Sequence, residues 1–199
     1  MNSKQILEAL HGKLNHNNKT HFLGCFSADE VAQLNLICED GRHFLFIANV
    51  LTSEQIHIMG HWIVFYITTH SIFFFDSFAL CPRLYSKHFH NFLNKFKGFT
   101  IFKLSSRLQS DDSLVCGAYC IQFVFLCDWL GITKTCKFLG NMYHNNNYKL
   151  NDRKVLAYVY KKFRNMPLCR NTFCKKGMLY KDCVSLCSMR ADFCCEKKK

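Results

Sequence analysis

Four side chains have the types and the order needed for nucleophilic acyl chemistry: His61, Asp76, Gln109 and Cys116. A cysteine attacks only as its thiolate. Cys116 precedes Gly117 at the head of an apolar run, Cys116 to Leu130, that reads as a buried helix, and the partial positive charge of a helix N-terminus favours a thiolate placed there. Backbone amides at the same helix start are ready donors for a developing oxyanion. Gln109, seven residues before the cysteine, is placed to add a side-chain NH from the preceding loop. Cys120 and Cys127 fall deeper in the same apolar helix, where a buried thiol stays protonated, so neither is favoured as the nucleophile.

The acid and the base come together through strand geometry. If His61 to Ile67 and His70 to Asp76 form a hairpin turning at Thr68-Thr69, His61 falls opposite Asp76, with the two Cβ atoms about 5 Å apart on one face. Thr-Thr is a poor tight-turn sequence, and a longer loop would shift the pairing by two. Even shifts keep both side chains on the same face, within reach of each other. A carboxylate so placed fixes the tautomer and orientation of a general base. Taken singly, each residue also has a plainer reading: a buried thiol, a core or surface histidine, an aspartate forming a turn.

The elements that must position these groups follow from periodicity. Ser3 caps a first helix with Ile6, Leu7, Leu10 and Leu14 on one face, packed as a lid on the body. Ser27 to Glu30 has the spacing of a capping box and opens a short second helix through Val31 and Leu34. His43 to Val50, His61 to Ile67 and Ser71 to Phe75 are near-continuously apolar, as in strands covered on both faces. Tyr85 to Phe96 reads as an amphipathic helix with Leu84, Phe89, Phe92, Leu93 and Phe96 inward; Gly98 separates it from a strand at Thr100 to Leu104, and Gly131 ends the buried helix. A last helix begins near Asn151 or Asp152, with Val155, Leu156, Val159 and Phe163 inward and Arg153, Lys154, Lys161, Lys162 and Arg164 outward. The fold class expected is α+β, a mixed central sheet packed against helices.

The whole chain is 199 residues with 49% hydrophobic and 20% charged residues, enough apolar content to rule out global disorder. Residues 1–165 form one domain, and residues 166–199 are a basic tail that holds six of the thirteen cysteines. The start carries Lys4, Glu8 and Lys13 and is no signal peptide, and neither apolar stretch is uninterrupted enough to span a membrane. The cysteine number is odd and Cys25 to Cys136 lack a scaffold spacing, which points to free thiols inside the cell.

The sequence resembles the adenovirus-type endopeptidases, the adenain family of cysteine proteases, which includes relatives in Maverick/Polinton mobile elements. The likeness runs from the first helix to about Phe163. It rests on Phe22-Leu23-Gly24, His61-Trp62 opening an apolar strand, Phe75-Asp76-Ser77-Phe78 closing another, and Gln109 followed seven residues later by Cys116-Gly117 with Tyr119-Cys120 beyond. The resemblance implies that His61 is the base, Asp76 its acidic partner, Gln109 the oxyanion-hole glutamine and Cys116 the nucleophile. It further implies the mixed fold shared with proteases of ubiquitin-like proteins, and substrates that are viral or element-encoded structural precursors with glycine before the cut. Two departures stand out: Asp76 where the adenoviral enzymes commonly have Glu, and Thr100 where they hold a cysteine that joins an activating viral peptide. Covalent activation of that kind is therefore not expected, although DNA or a viral peptide remains a candidate activator. No cofactor is needed for the chemistry.

The net charge of +12 calls for a polyanion, and the resemblance makes it DNA, bound without sequence preference and sensitive to salt. Lys87, Lys95, Lys97, Lys103 and Arg107 are the candidates, a solvated basic surface being the alternative. The remaining expectations are a monomer that does not bind membranes and works in the virion and the host cell nucleus. Trp62 is either core or cleft wall. In the tail, Cys169, Cys174, Cys183 and Cys187 are candidate zinc ligands, set against a disordered thiol-rich extension or disulfides. Three functional readings remain open: a precursor-processing endopeptidase, a protease of ubiquitin-like tails, and an inactive basic DNA-binding protein.

Overall fold

The computed structural model describes residues 1–14, 19–38, 41–55, 58, 60–144, 146–163 and, as backbone, 193–196. The fold is α+β. Its sheet runs in the spatial order β1 (Thr20–Phe26), β2 (His43–Asn49), β3 (Trp62–Ile67), β4 (Ser71–Phe75), β5 (Thr100–Leu104) and β6 (Phe193–Glu196). It is mixed: β1 and β2 are parallel, β2, β3 and β4 antiparallel, β4 and β5 parallel, and the short β6 adds antiparallel to the edge of β5. Every residue of β3 is buried. That burial explains why its sequence, Trp-Ile-Val-Phe-Tyr-Ile, shows no polar alternation: successive side chains point to opposite faces, and both faces are covered.

Trp62, Val64 and Tyr66 of β3, with Leu45, Ile47 and Phe75, pack under α4 (Cys116–Leu130). Ile63, Phe65 and Ile67, with Phe46 and Phe74, pack against α2 (Ala28–Gln33) and α3 (Lys87–Asn94). The second face has an aromatic centre, with Phe65 at 5.1 to 5.7 Å from the rings of Phe46, Phe74, Phe89 and Phe92. On the first face Phe75 stacks on Phe123 at 4.3 Å, which anchors α4 beneath the end of β4. The apolar helix from Cys116 to Leu130 is thus a buried element, and Gly131 ends it with φ 75 and ψ 163, a conformation open essentially only to glycine.

Several local expectations need correction. The cap of α1 (Ser3–Leu10) is Asn2, not Ser3: Asn2 Oδ1 accepts from Gln5 N at 2.9 Å while Gln5 Oε1 accepts from Asn2 N at 3.0 Å. Its buried stripe runs through Ile6 and Leu10, spaced by four residues, and leaves Leu7 40% exposed. The Ser27 capping box forms as expected. The β3–β4 hairpin pairs Val64 with Phe75 and Ile67 with Ile72, and Thr68 N donates to Ser71 O at 2.8 Å. The turn is therefore Thr69-His70, shifted by two from the Thr68-Thr69 register. Leu84 is 73% exposed because it lies in a separate 3-10 turn, Pro82–Leu84, ahead of α3.

Besides β6, which lies in the segment read as a tail, three features were not anticipated. One is β1, whose Gly24 interrupts the register against β2. Another is α5 (Ile132–Met142), which follows α4 directly after Gly131. The third is the start of α6 (Tyr148–Lys162), earlier than the expected Asn151 or Asp152 because Asn147 is the cap. That earlier start turns Asn151 and Asp152 inward, and both are buried. Lys154 also points in rather than out: its ammonium donates to Met142 O at 2.7 Å, so it caps the C-terminal end of α5. Arg164 and the four candidate zinc ligands lie outside the described residues.

Candidate active site

His61 follows Gly60 at the edge of β3. A Cβ on Gly60 would lie 2.1 Å from Asn49 Oδ1, so the Asn49 side-chain amide fills the space that a side chain at residue 60 would take. Asp76 follows the last residue of β4. His61 Nε2 and Asp76 Oδ1 are 2.6 Å apart, although the register differs by two from the expected one. Parity explains the agreement, because an even shift leaves both side chains on one face.

Asp76 is 1% exposed, and its carboxylate is filled with donors. Oδ1 accepts from His61 and from Phe78 N at 2.9 Å; Oδ2 accepts from Leu80 N at 2.8 Å and from the Tyr85 hydroxyl at 2.7 Å. The chain after β4 wraps around its own carboxylate, with Ala79 at a positive φ of 58, a backbone strain that the two amide bonds hold in place. Burial first, then the Asp76 charge and hydrogen bond, raise the Tyr85 pKa, so this hydroxyl stays protonated and donates. Tyr85 was not singled out from the sequence. No spacing pattern marks a tyrosine nine residues after an aspartate, and only the turn brings them together.

Cys116 opens α4, 8% exposed, with the His61 imidazole acting on its thiol. Nε2 is taken by Asp76, which leaves Nδ1 for the thiol. Burial works against the thiolate, but the His61 hydrogen bond and charge and the backbone amides of Trp62 and Gly117 outweigh it, and the Cys116 pKa is lowered. Burial likewise works against the imidazolium, and the bonds and charges of Asp76 and Cys116 overcome it, pushing His61 up to about 9. The two shifts agree on an ion pair, thiolate with imidazolium. By contrast, burial raises Cys25 and Cys136 to about 12 and pushes Cys120 and Cys127 well up.

The pH limits of the pair follow from the signs. Below the lowered Cys116 pKa the thiolate is protonated; above about 9 the imidazolium is lost. Alkylation by iodoacetamide needs only the thiolate, so the Cys116 rate should hold its plateau to a lower pH than an ordinary thiol does. His61→Ala should raise the midpoint to the ordinary thiol range or above it, because burial, the largest influence on Cys116, then acts with only the amides of Trp62 and Gly117 against it. Mass-spectrometric labelling of the Cys116 peptide across pH 5 to 10 checks this; an unchanged midpoint in the variant would remove the ion pair.

Gln109 is 1% exposed and fixed at both ends of its amide. Ser77 Oγ donates to its Oε1 at 2.6 Å, and its Nε2 donates to Ser113 O at 2.7 Å. A primary amide nitrogen carries two hydrogens, and the Ser113 carbonyl takes one, which sets this NH2 group on the loop that ends at Cys116. Ser77 is a second residue missed from the sequence; its position directly after the acid was the available signal.

The rings around the base restrict it. Phe78 lies 4.8 Å and Tyr85 5.8 Å from the His61 ring. Trp62 is core rather than cleft wall: it is 7% exposed and its indole donates to Met1 O at 2.9 Å. Met1 also covers the start of α4, where a Cβ on Gly117 would meet Met1 Sδ at 2.6 Å.

The five basic candidates divide. Lys87 and Lys97 are exposed and Lys103 is half-buried on β5. Lys95 donates to Ala32 O at 2.8 Å, Leu34 O at 2.9 Å and Asn35 Oδ1 at 3.1 Å, so its ammonium caps the end of α2. Arg107 is half-buried, donates to Gln109 O at 2.5 Å, pairs with Asp111, and lies over the Phe78 and Tyr148 rings. Arg107 is thus held within the fold, while Lys95 stays exposed although its ammonium is engaged. Among the described residues, no group of three or more His, Cys, Asp or Glu side chains could hold a metal ion, and no helix is long and apolar enough to cross a membrane. The seven cysteines from Cys25 to Cys136 are free thiols. No protein-family model matches the chain, and no curated protein matches it.

Proposed function

We propose that the chain is a cysteine endopeptidase of the adenain type, acting on glycine-containing structural precursors of a virus or mobile element. The observation that supports this most is the 2.6 Å bond between Asp76 and His61, together with Cys116 at the head of a buried helix where His61 and the amide of Gly117 lower its pKa. A third reading, an inactive DNA-binding protein, leaves the opposed shifts of His61 and Cys116 without a purpose.

The steps follow from the pair. The Cys116 thiolate attacks the scissile carbonyl carbon and forms a C–S bond, while the carbonyl π electrons move to oxygen. Gln109 Nε2 and amides at the start of α4 stabilise that oxyanion. The intermediate collapses, the C–N bond breaks, and His61 gives its proton to the leaving amine. His61 then takes a proton from water as the water attacks the thioester, and the departing sulfur is again the thiolate. Asp76 holds the ring oriented throughout.

DNA would bring enzyme and packaged precursor together, with Lys87 and Lys97 among the exposed cations for phosphate contact. The activity is placed in the virion and the host nucleus on the same grounds.

The test is hydrolysis of a peptide series with one or two glycines before the cut, run beside a ubiquitin-like protein carrying a C-terminal vinyl sulfone. Cleavage after glycine that is lost when Cys116 is alkylated is the expected result. Reaction with the ubiquitin-like probe and none with the peptides would instead select a protease of ubiquitin-like tails, and reaction with neither would end the enzyme reading.

A further inference from the structure

The loop that carries Gln109 is fastened from behind by a buried carboxylate that the steps above do not use. Asp152, in the first turns of α6, is 7% exposed. Its Oδ2 accepts from Ser110 N at 3.3 Å and lies 2.7 Å from Ser110 Oγ, whose single proton it shares with Asp112 Oδ1 at 2.8 Å, and its Oδ1 accepts from the Tyr119 hydroxyl at 3.0 Å. Tyr119 lies in α4, one turn beyond Cys116. The neighbouring Asn151 donates Nδ2 to Leu108 O at 3.2 Å. Leu108 and Ser110, the two residues that flank Gln109, are therefore both tied to α6, while Leu108 N and Gln109 N donate to Ser77 O at 2.8 and 3.1 Å on the side of the acid.

We propose that Asp152 is a positioning residue for the oxyanion donor: it sets the Gln109 backbone by holding Ser110 and registers it against α4 through Tyr119. The proposal rests on the endopeptidase reading. Oxyanion donors work only when aimed at the place where charge develops, and a donor on a loop keeps that aim only if its supports are fixed. Apolar packing would hold α6 against α4 with less desolvation than a buried carboxylate. What the carboxylate adds is direction, since two donors of one residue converge on a single oxygen. Asparagine could keep that oxygen toward Ser110 and turn its NH2 to Tyr119, whose hydroxyl can swing its proton to Leu108 O, 3.2 Å away.

The experiment compares two rates. Peptide hydrolysis passes through an oxyanion; alkylation of Cys116 by iodoacetamide displaces iodide from a saturated carbon and does not. Asp152→Ala should lower kcat about 10- to 100-fold, within the range of a weakened oxyanion donor. KM should stay within about threefold and the alkylation rate of Cys116 within about twofold of the parent. Asp152→Asn should recover most of the lost kcat. Ser110→Ala, which keeps the amide bond and loses the hydroxyl one, should fall between, and it carries the test should Asp152→Ala fail to fold. A folded Asp152→Ala or Ser110→Ala enzyme with parental kcat overturns the proposal, as does a parallel loss of hydrolysis and alkylation, which would mean general loosening. A parent chain that alkylates at Cys116 yet hydrolyses no peptide overturns the endopeptidase reading and this proposal with it, an outcome distinct from the variant results.

Discussion

Cys116→Ala is expected to abolish peptide hydrolysis, with kcat lowered by at least about 10⁴-fold, while the protein stays folded. The substitution removes one sulfur from a site that is already 8% exposed and leaves the His61–Asp76 bond in place. It also removes a buried charge, so the structural cost is that of a small cavity at the helix start. No neighbouring thiol can substitute. Cys120, fully buried one turn deeper, is held in its neutral form mainly by burial, with the negative charge of Asp76 adding to it even when Cys116 is replaced. Cys120→Ala should therefore keep kcat within about twofold, since it touches packing and not the nucleophile. Hydrolysis of a glycine-containing peptide by the two variants, with thermal unfolding as the control for folding, checks both. Turnover that survives in the Cys116 variant would move the chemistry elsewhere in the molecule.

The base and its acid were legible in the sequence because strand parity is insensitive to error. The turn proved to be Thr69-His70 and the register moved by two, yet His61 and Asp76 stayed on one face. A helix starting at Cys116 was legible for a similar reason: a fifteen-residue stretch that is apolar all round is too long for an ordinary strand. What failed was inference about single polar residues. Lys154 read as a solvent-facing cation, but it is buried and its ammonium reaches a carbonyl at the end of a helix 12 residues away; Lys95 stays exposed as read, yet its ammonium bonds carbonyls at the end of a helix about 60 residues away. Such pairings depend on how helices stack, which no local period encodes. Asn151 and Asp152 looked like a helix start because those residue types favour caps; the cap is Asn147, and the pair instead carries the buried network behind Gln109. Strand β1 was hidden by its composition, with His21 and Gly24 breaking the apolar pattern and a bulge breaking the alternation.

The carboxylate of Asp76 carries the second large effect. Asp76→Asn is nearly isosteric, but all four groups around the carboxylate are donors: His61 Nε2, the amides of Phe78 and Leu80, and the Tyr85 hydroxyl. An asparagine must present its NH2 to one pair of them. Turned toward His61 and Phe78, it opposes an amide hydrogen that cannot reverse and gives a proton to Nε2. The imidazole then carries its own hydrogen on Nδ1, facing Cys116, and can no longer accept the thiol proton. Turned the other way, it opposes Leu80 N–H and releases the turn that holds Tyr85. Both orientations also remove the negative charge that raises His61, so the imidazolium becomes weaker and the basic limb of kcat/KM moves down from about 9. The wrong-tautomer effect alone is worth about 10⁴-fold in a serine triad, some 5.5 kcal/mol of barrier. Here part of the thiolate stabilisation comes from the amides of Trp62 and Gly117 and survives the change, so a loss of about 10²- to 10³-fold is expected. The profile of kcat/KM against pH for Asp76→Asn, set beside Tyr85→Phe, reads both consequences. Tyr85→Phe leaves the His61 bond and the charge intact, and should cost about tenfold or less for the one hydrogen bond it removes. An Asp76→Asn enzyme within threefold of the parent, with an unmoved basic limb, would mean that the aspartate only shapes the turn.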